Sequence, residues 1–263
     1  MARNSHRPSS REELGLGMSG SRPLSVRVLT IVALWVAGAS LTTAYALYVL
    51  SPYCRSVVPF ISELDFYGPS RIPFTSGLFA ESVLLLAIAH TVARTRAEHL
   101  KRPLGRFVNW TGQVVLDGAA VGLMIAALVN VPTNAIWHGL AAAVGFRGLL
   151  VWGWIQIGLG WGSLQSRHGA RTALLTRTAV TLFGAIMLRV TLAFAVAGQD
   201  AIHGGNDWMA FYSALPRPVA FEWAAVAEWV LAVACFGILA TLPAELSRHA
   251  GMDHRPSSAS RTA

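Results

Sequence analysis

The sequence predicts an all-α protein, a six-helix transmembrane bundle with both termini cytoplasmic. Three observations carry that prediction. The 263 residues are 54% hydrophobic and only 13% charged, where a soluble domain carries about 25% charged residues. The apolar residues gather into six runs, each with the roughly 20 residues needed to cross a bilayer. The basic residues alternate between connecting segments: sixteen fall in the N-terminal tail, the second and fourth connections and the C-terminal tail, and three (Arg55, Arg71, Arg217) fall in the others. Since cytoplasmic segments hold the excess of Lys and Arg, this alternation sets the orientation and requires an even number of spans. The net charge of +8 lies in short runs between apolar segments, which points to a membrane surface and away from nucleic acid. One lysine against twenty arginines, with much Ala and Gly, is the composition of a high-GC genome, and the expected location is a bacterial cytoplasmic membrane.

The chain divides into a tail over 1–23, a membrane domain over 24–246 and a second tail over 247–263. The tails are polar, without apolar periodicity, and are expected to be disordered. The first run, Leu24 to Leu50, could be a signal sequence cut near Ala37-Gly38-Ala39. Its apolar character continues through Leu41–Leu50, which favours an uncleaved helix. A loop over 51–72 follows, with Pro52, Pro59, Gly68 and Pro69 and the interfacial aromatics Tyr53, Phe60, Phe66 and Tyr67. The second span, Pro73 to Val92, contains Glu81 and His90. The third, Thr111 to Val131, contains Asp117. After the turn Asn130–Asn134, the fourth, Ala135 to Gly162, has His138 near its start and Arg147 inside. The fifth, Ala173 to Ala197, holds Arg189, and a loop over 198–218 leads to the sixth, Phe221 to Pro243, with Glu222 and Glu228.

Ionisable residues inside spans are costly, at least ~2.5 kcal/mol each on insertion scales, and mark partners or function. At ~1.5 Å per residue, Glu81, Arg189 and Glu228 each lie ~12 Å from the outer ends of their spans. His138 is nearer the outer surface, Arg147 near mid-membrane and Asp117 nearer the cytoplasmic end. Glu81, His138, Arg189 and Glu228 are therefore expected in the outer half of the bundle. Two readings lead, with a proton or ion path as the third. In one, the charges are buried ion pairs, Arg189 with Glu228 or Glu81, that fix helix register. In the other, a polar pocket opens to the outer leaflet, Arg189 holds a lipid phosphate, and His138 and Glu228 act as acid and base. Glu81, Arg147, Arg189 and Asp117 are the candidates for lipid binding or ion pairing. His138 could equally be bonded to a neighbouring helix.

No His/Cys spacing suits a metal, and Cys54 and Cys235 form no disulfide framework. No nucleotide or cofactor fingerprint is present, so no cofactor is expected. Gly118–Gly122 and Gly158–Gly162 have small-xxx-small spacing for close helix contact. Trp110, Trp137, Trp161, Trp208 and Trp223 fall near span ends, as an aromatic belt places them.

Three stretches resemble one membrane family. Pro59-Phe60-Ile61-Ser62-Glu63, then Tyr67-Gly68-Pro69 and Phe74, resembles the first loop of the Frag/DRAM/Sfk family, with Glu63 for its Asp and Asp65 for its Gly. Asn134 to Gly139 resembles the family's His-bearing helix start. Ala227-Glu228-Trp229 with Phe236-Gly237 resembles its last helix. The resemblance spans residues 25 to 246. It implies an integral membrane protein connected to lipid organisation or remodelling, and carries over His138 and Glu228 as motif residues. The expected function is to bind or organise membrane lipids or to scaffold membrane partners, with a membrane-protein partner or a homo-oligomer as possible assemblies. The alternative is an intramembrane lipid-remodelling enzyme, an acyl transferase or hydrolase acting on a glycolipid. That reading needs a nucleophile, such as Ser76 or Ser82, beside His138 or Glu228.

Overall fold

A computed structural model of the chain describes residues 25–52, 54, 58–66, 68–163, 168–201 and 219–244. The two predicted tails, Tyr67, Trp208 and the connection over 202–218 lie outside the described residues. Among the described residues, six helices are long and apolar enough to cross a membrane: α1 (Val26–Val49), α2 (Arg71–Ala97), α3 (Pro103–Leu128), α4 (Val131–Ser163), α5 (His168–Ala201) and α6 (Val219–Ala240). A 3-10 turn, Ile61–Asp65, lies between α1 and α2. No strand occurs among the described residues.

The helix ends follow local chemistry. The Ser25 side chain accepts from the Val28 N–H and caps α1. Pro103 opens α3, where its missing N–H has no helical partner to lose. α4 begins with one turn capped by Asn130, whose Oδ1 accepts from the Thr133 N–H at 3.1 Å. The helix breaks at Asn134 (φ −160°, ψ 84°). It restarts with the Asn134 Oδ1 accepting from the Trp137 N–H at 3.2 Å. The turn expected at Asn130–Asn134 is thus two successive caps.

Consecutive helices pack side by side from α1 through α6, while α6 meets α1 only sparsely. Lipid is as apolar as leucine, so association in a membrane relies on close packing at small residues. The α3–α4 contact has that character. A Cβ at Gly122 would lie 2.8 Å from the Ala141 carbonyl oxygen, and one at Gly148 2.7 Å from the Ala119 Cβ. The expectation for the two glycine motifs is met only in part. Nothing lies within 4 Å of where a Cβ would stand at Gly118 or Gly158. The packing seam on α3 runs through Gly112, Ala119 and Gly122 instead. α1 and α2 meet where Gly77 leaves room for Ser40. Between the helices lies a core that includes Leu85, Ile88, Leu116, Trp152, Ile238 and Leu239. Trp110, Trp137, Trp161 and Trp223 are exposed on the outside of the bundle.

Candidate functional site

The first loop is packed into the end of the bundle, and every residue from Pro59 to Phe66 is buried. Four side chains hold it. The Glu63 Oε2 accepts from the Phe60 N–H at 2.8 Å and closes the 3-10 turn on itself. Asp65 accepts from the Thr75 hydroxyl at 2.8 Å and lies 3.7 Å from the Arg71 guanidinium, which ties the turn to α2. From the far end of the chain, the Glu228 Oε2 accepts from the Ile61 N–H at 2.8 Å. Its neighbour Trp229 donates from Nε1 to the Pro59 carbonyl at 2.8 Å. Phe60 meets Phe221 of α6 edge to face, with ring centroids 6.3 Å apart. Gly68, at φ 86°, then turns the chain into α2 in a conformation that glycine adopts without strain.

Burial raises the Asp65 carboxyl from its ordinary 3.8 to about 6, with the Thr75 hydrogen bond and the Arg71 charge acting against it. Glu63 and Asp65 therefore have defined jobs, although both depart from the pattern the first loop resembles. Sequence periodicity could not find them, because a short 3-10 turn leaves no amphipathic repeat.

Beneath this loop is a cavity of about 80 Å³, room for two or three water-sized groups at ~30 Å³ each. Its wall is mostly apolar and includes Glu81 of α2, His138 of α4 and Glu228 of α6. Three of the four residues expected in one half of the bundle therefore do share a site. The Glu81 side chain is 3% exposed, and neither of its oxygens has a hydrogen-bond partner among the described residues. Such a carboxylate is expensive to bury, which makes it the unsatisfied feature of the site. The His138 Nδ1 lies 2.8 Å from the Val129 carbonyl, to which it donates. The ring thereby caps the end of α3, where the last carbonyls lack helical donors.

The fourth residue, Arg189, is not in the cavity. It is exposed on the outer face of α5 and makes no ion pair with Glu81 or Glu228. The partner of Glu228 is a backbone N–H. Arg147 is likewise exposed on α4, and Asp117 is half-buried on α3 beside Gln113 and His90. The Ser76 and Ser82 hydroxyls each donate to a carbonyl of their own helix, Ile72 and Leu78, at 2.7 Å. Among the described residues neither is bonded to His138 or Glu228.

Where α1 and α6 diverge, a groove of about 420 Å³ opens on the outside of the bundle, lined by Gly38, Tyr45, Val58 and Trp229 among others. Leu41, Ala232 and Phe236 line both this groove and the inner cavity, so the two adjoin along these side chains.

Six spanning helices, a docked first loop and a carboxylate-bearing interior define a multi-pass integral membrane protein. Within that class the chain belongs to a known family: the Frag1/DRAM/Sfk1/Cwh43P N-terminal domain matches residues 25–249. No curated protein and no solved structure matches the chain.

Proposed function

We propose that the protein binds and organises membrane lipids, taking an acyl chain into the α1–α6 groove and a hydrogen-bond-donating part of the same lipid into the cavity behind it. The observation that supports this is Glu81, a buried carboxylate without a partner among the described residues, in a cavity that adjoins a groove facing the surrounding lipid. The cavity is lined by two carboxylates, an imidazole and the Cys235 thiol, with no arginine or lysine among its lining residues. Such a lining suits hydroxyl or ammonium donors and disfavours a bare phosphate. In this reading the docked loop, fixed by Glu228 and Trp229, closes the cavity at its end, and access is sideways from the bilayer. The arginine-rich composition and the alternating basic loops support a bacterial cytoplasmic membrane with both termini on the cytoplasmic side. Against a hydrolase or acyl transferase stands the bonding of Ser76 and Ser82 to their own helices.

The test is native mass spectrometry of the full chain released from nanodiscs of defined mixed lipids. The wild type is expected to retain a lipid class bearing hydroxyl or amine donors above its bulk share. Leu41→Trp, which fills the wall of the groove, should reduce that retention at least tenfold, and Glu81→Gln should abolish the head-group preference. Retained lipid that mirrors the bulk mixture in all three proteins rejects the reading. A lipid profile of wild-type, deletion and Glu228→Gln strains separates the alternative: acyl chains or head groups altered in both mutants identify a remodelling enzyme.

A further inference from the structure

Two polar patches lie on the outside of this bundle, within the spans, and their depths agree. The first is cationic. Arg147 on α4 and Arg189 on α5 are both exposed, and neither is ion-paired among the described residues. The packing of α4 on α5 fixes their relative depth: Gly153 abuts Thr181, and Gly184 abuts Leu150. Continuing that antiparallel register brings Arg189 level with residue 145, about one half-turn from Arg147. The second patch is anionic and polar. On α2 and α3, Asp117 lies beside Gln113, whose Nε2 is 3.4 Å from the exposed His90 ring. Asp117 forms no ion pair with an arginine or lysine among the described residues. Here the register comes from Gly112 against Ile155, Ala119 against Gly148, and Gly122 against Gly145. It puts Asp117 level with residue 150, about three residues from Arg147.

Trp110 near the start of α3 and Trp137 near the start of α4, both exposed, serve as the depth markers. Trp110 falls level with residue 157 in the same register, and Trp137 is exposed at the other end. The 20 residues between those levels span ~30 Å, the thickness of a hydrocarbon core. Arg147, ten residues below Trp137, is then ~15 Å from either boundary. An arginine stem is far shorter than that, so Arg147 cannot carry its guanidinium to a lipid phosphate at the surface. Arg147 therefore calls for an anion that is itself held in the middle of the membrane. A carboxylate on a neighbouring transmembrane helix meets that requirement.

We propose that a second copy of this chain supplies it: the α4–α5 face of one subunit, through Arg147 and Arg189, packs on the α2–α3 face of the next, through Asp117. All copies with one topology share one membrane, so equal depth within a chain becomes equal depth between chains. Asp117 and Arg147 then meet within ~5 Å of each other along the membrane normal. The contact relieves two exposed polar patches at once, and repeated around the normal it builds a cyclic homo-oligomer. It uses none of the cavity residues and stands independently of the lipid-binding reading.

The experiment is subunit counting on the full chain in dilute liposomes by single-molecule photobleaching, with native mass spectrometry in detergent as a second readout. The wild type is expected to be oligomeric. Asp117→Arg alone and Arg147→Asp alone should each weaken association at least tenfold, and the two together should restore it. Asp117→Asn and Arg147→Gln serve where a reversal fails to fold, each with the same loss expected, and circular dichroism confirms the helical state of every variant. A monomeric wild type overturns the proposal, as do single variants that associate like wild type or a double reversal that restores nothing. A monomer that carries a bound anionic lipid, lost in Arg147→Gln, overturns it in favour of lipid phosphate.

Discussion

The Glu228 carboxylate of the last helix accepts the backbone N–H of Ile61 at 2.8 Å, across 167 residues of chain. With the adjacent Trp229, it makes the end of the sequence the clasp of the first loop. A hydrogen bond of this kind contributes about 1 kcal/mol, and removal of the acceptor leaves a buried N–H unsatisfied at a cost of about 1–3 kcal/mol. Glu228→Ala is therefore expected to release residues 59–66 with little change in helix content. Hydrogen exchange should show the Ile61 amide at least tenfold less protected. Glu228→Gln keeps a carbonyl acceptor and should lie nearer to wild type. Equal protection of Ile61 in wild type and Glu228→Ala would remove Glu228 from this role.

Trp229→Phe keeps a ring against Tyr45, which it meets edge to face at 5.9 Å, and deletes only the donor to Pro59. A neutral hydrogen bond of this kind contributes about 1 kcal/mol. Thermal unfolding in detergent should shift down by a few degrees, and the shift should be smaller when Glu228→Ala has already freed the loop. Strict additivity of the two changes would show that they do not act on one segment.

Asp65 gives the loop a pH dependence of determinate sign. Its folded pKa of about 6 lies above the ordinary 3.8, so the docked loop binds a proton more readily than a free one. The favourable contribution is complete below about pH 4 and is lost as the pH rises through about 6. Loop protection should thus increase on acidification from pH 7 to pH 5. Asp65→Asn should hold the low-pH level at both values, because its amide oxygen still accepts from Thr75. Protection that falls on acidification in the wild type contradicts this assignment.

The glycines separate by what surrounds them. Gly122→Ala sets a methyl 2.8 Å from a backbone carbonyl, and Gly77→Ala drives one into Ser40. Both should push helices apart and lower stability by about 1–3 kcal/mol, the usual range for overpacking. Gly118→Ala and Gly158→Ala meet nothing within 4 Å. These should be neutral or stabilising by up to ~1 kcal/mol through helix propensity. Urea- or heat-induced unfolding of the four variants tests the ranking, and a destabilising Gly118→Ala would refute it.

Much of this architecture was legible in the sequence because span length and charge alternation are one-dimensional signals. The six helices could be placed from them, and counting residues along each axis brought Glu81, His138 and Glu228 to the same half of the bundle. The same count put Arg189 with them, and there it failed. Depth is a coordinate along the helix, whereas the cavity is found by rotation about it, and each residue turns ~100° from the last. Only the packing of α5 on α4 and α6 shows that Arg189 points outward. The glycine motifs failed for a related reason. Spacing identifies a stripe of small residues, but the neighbouring helix decides which stripe is used. The role of Glu228 was hidden differently, since its partner is a backbone N–H, which leaves no trace in residue identity.

The clasp also bears on how the protein is made. Ile61 and Pro59 leave the ribosome well before Glu228 and Trp229, so while α2 to α5 are inserted the first loop is tied only to α2, through Asp65. Any nascent or truncated chain that lacks α6 presents Pro59–Phe66 without its α6 contacts, with Phe60 deprived of Phe221. Insertion of α6 then brings Glu228, Trp229 and Phe221 to the loop in one event. The presence of α6 is thereby converted into a surface feature, a loop either displayed or covered, that a membrane protease or chaperone can read.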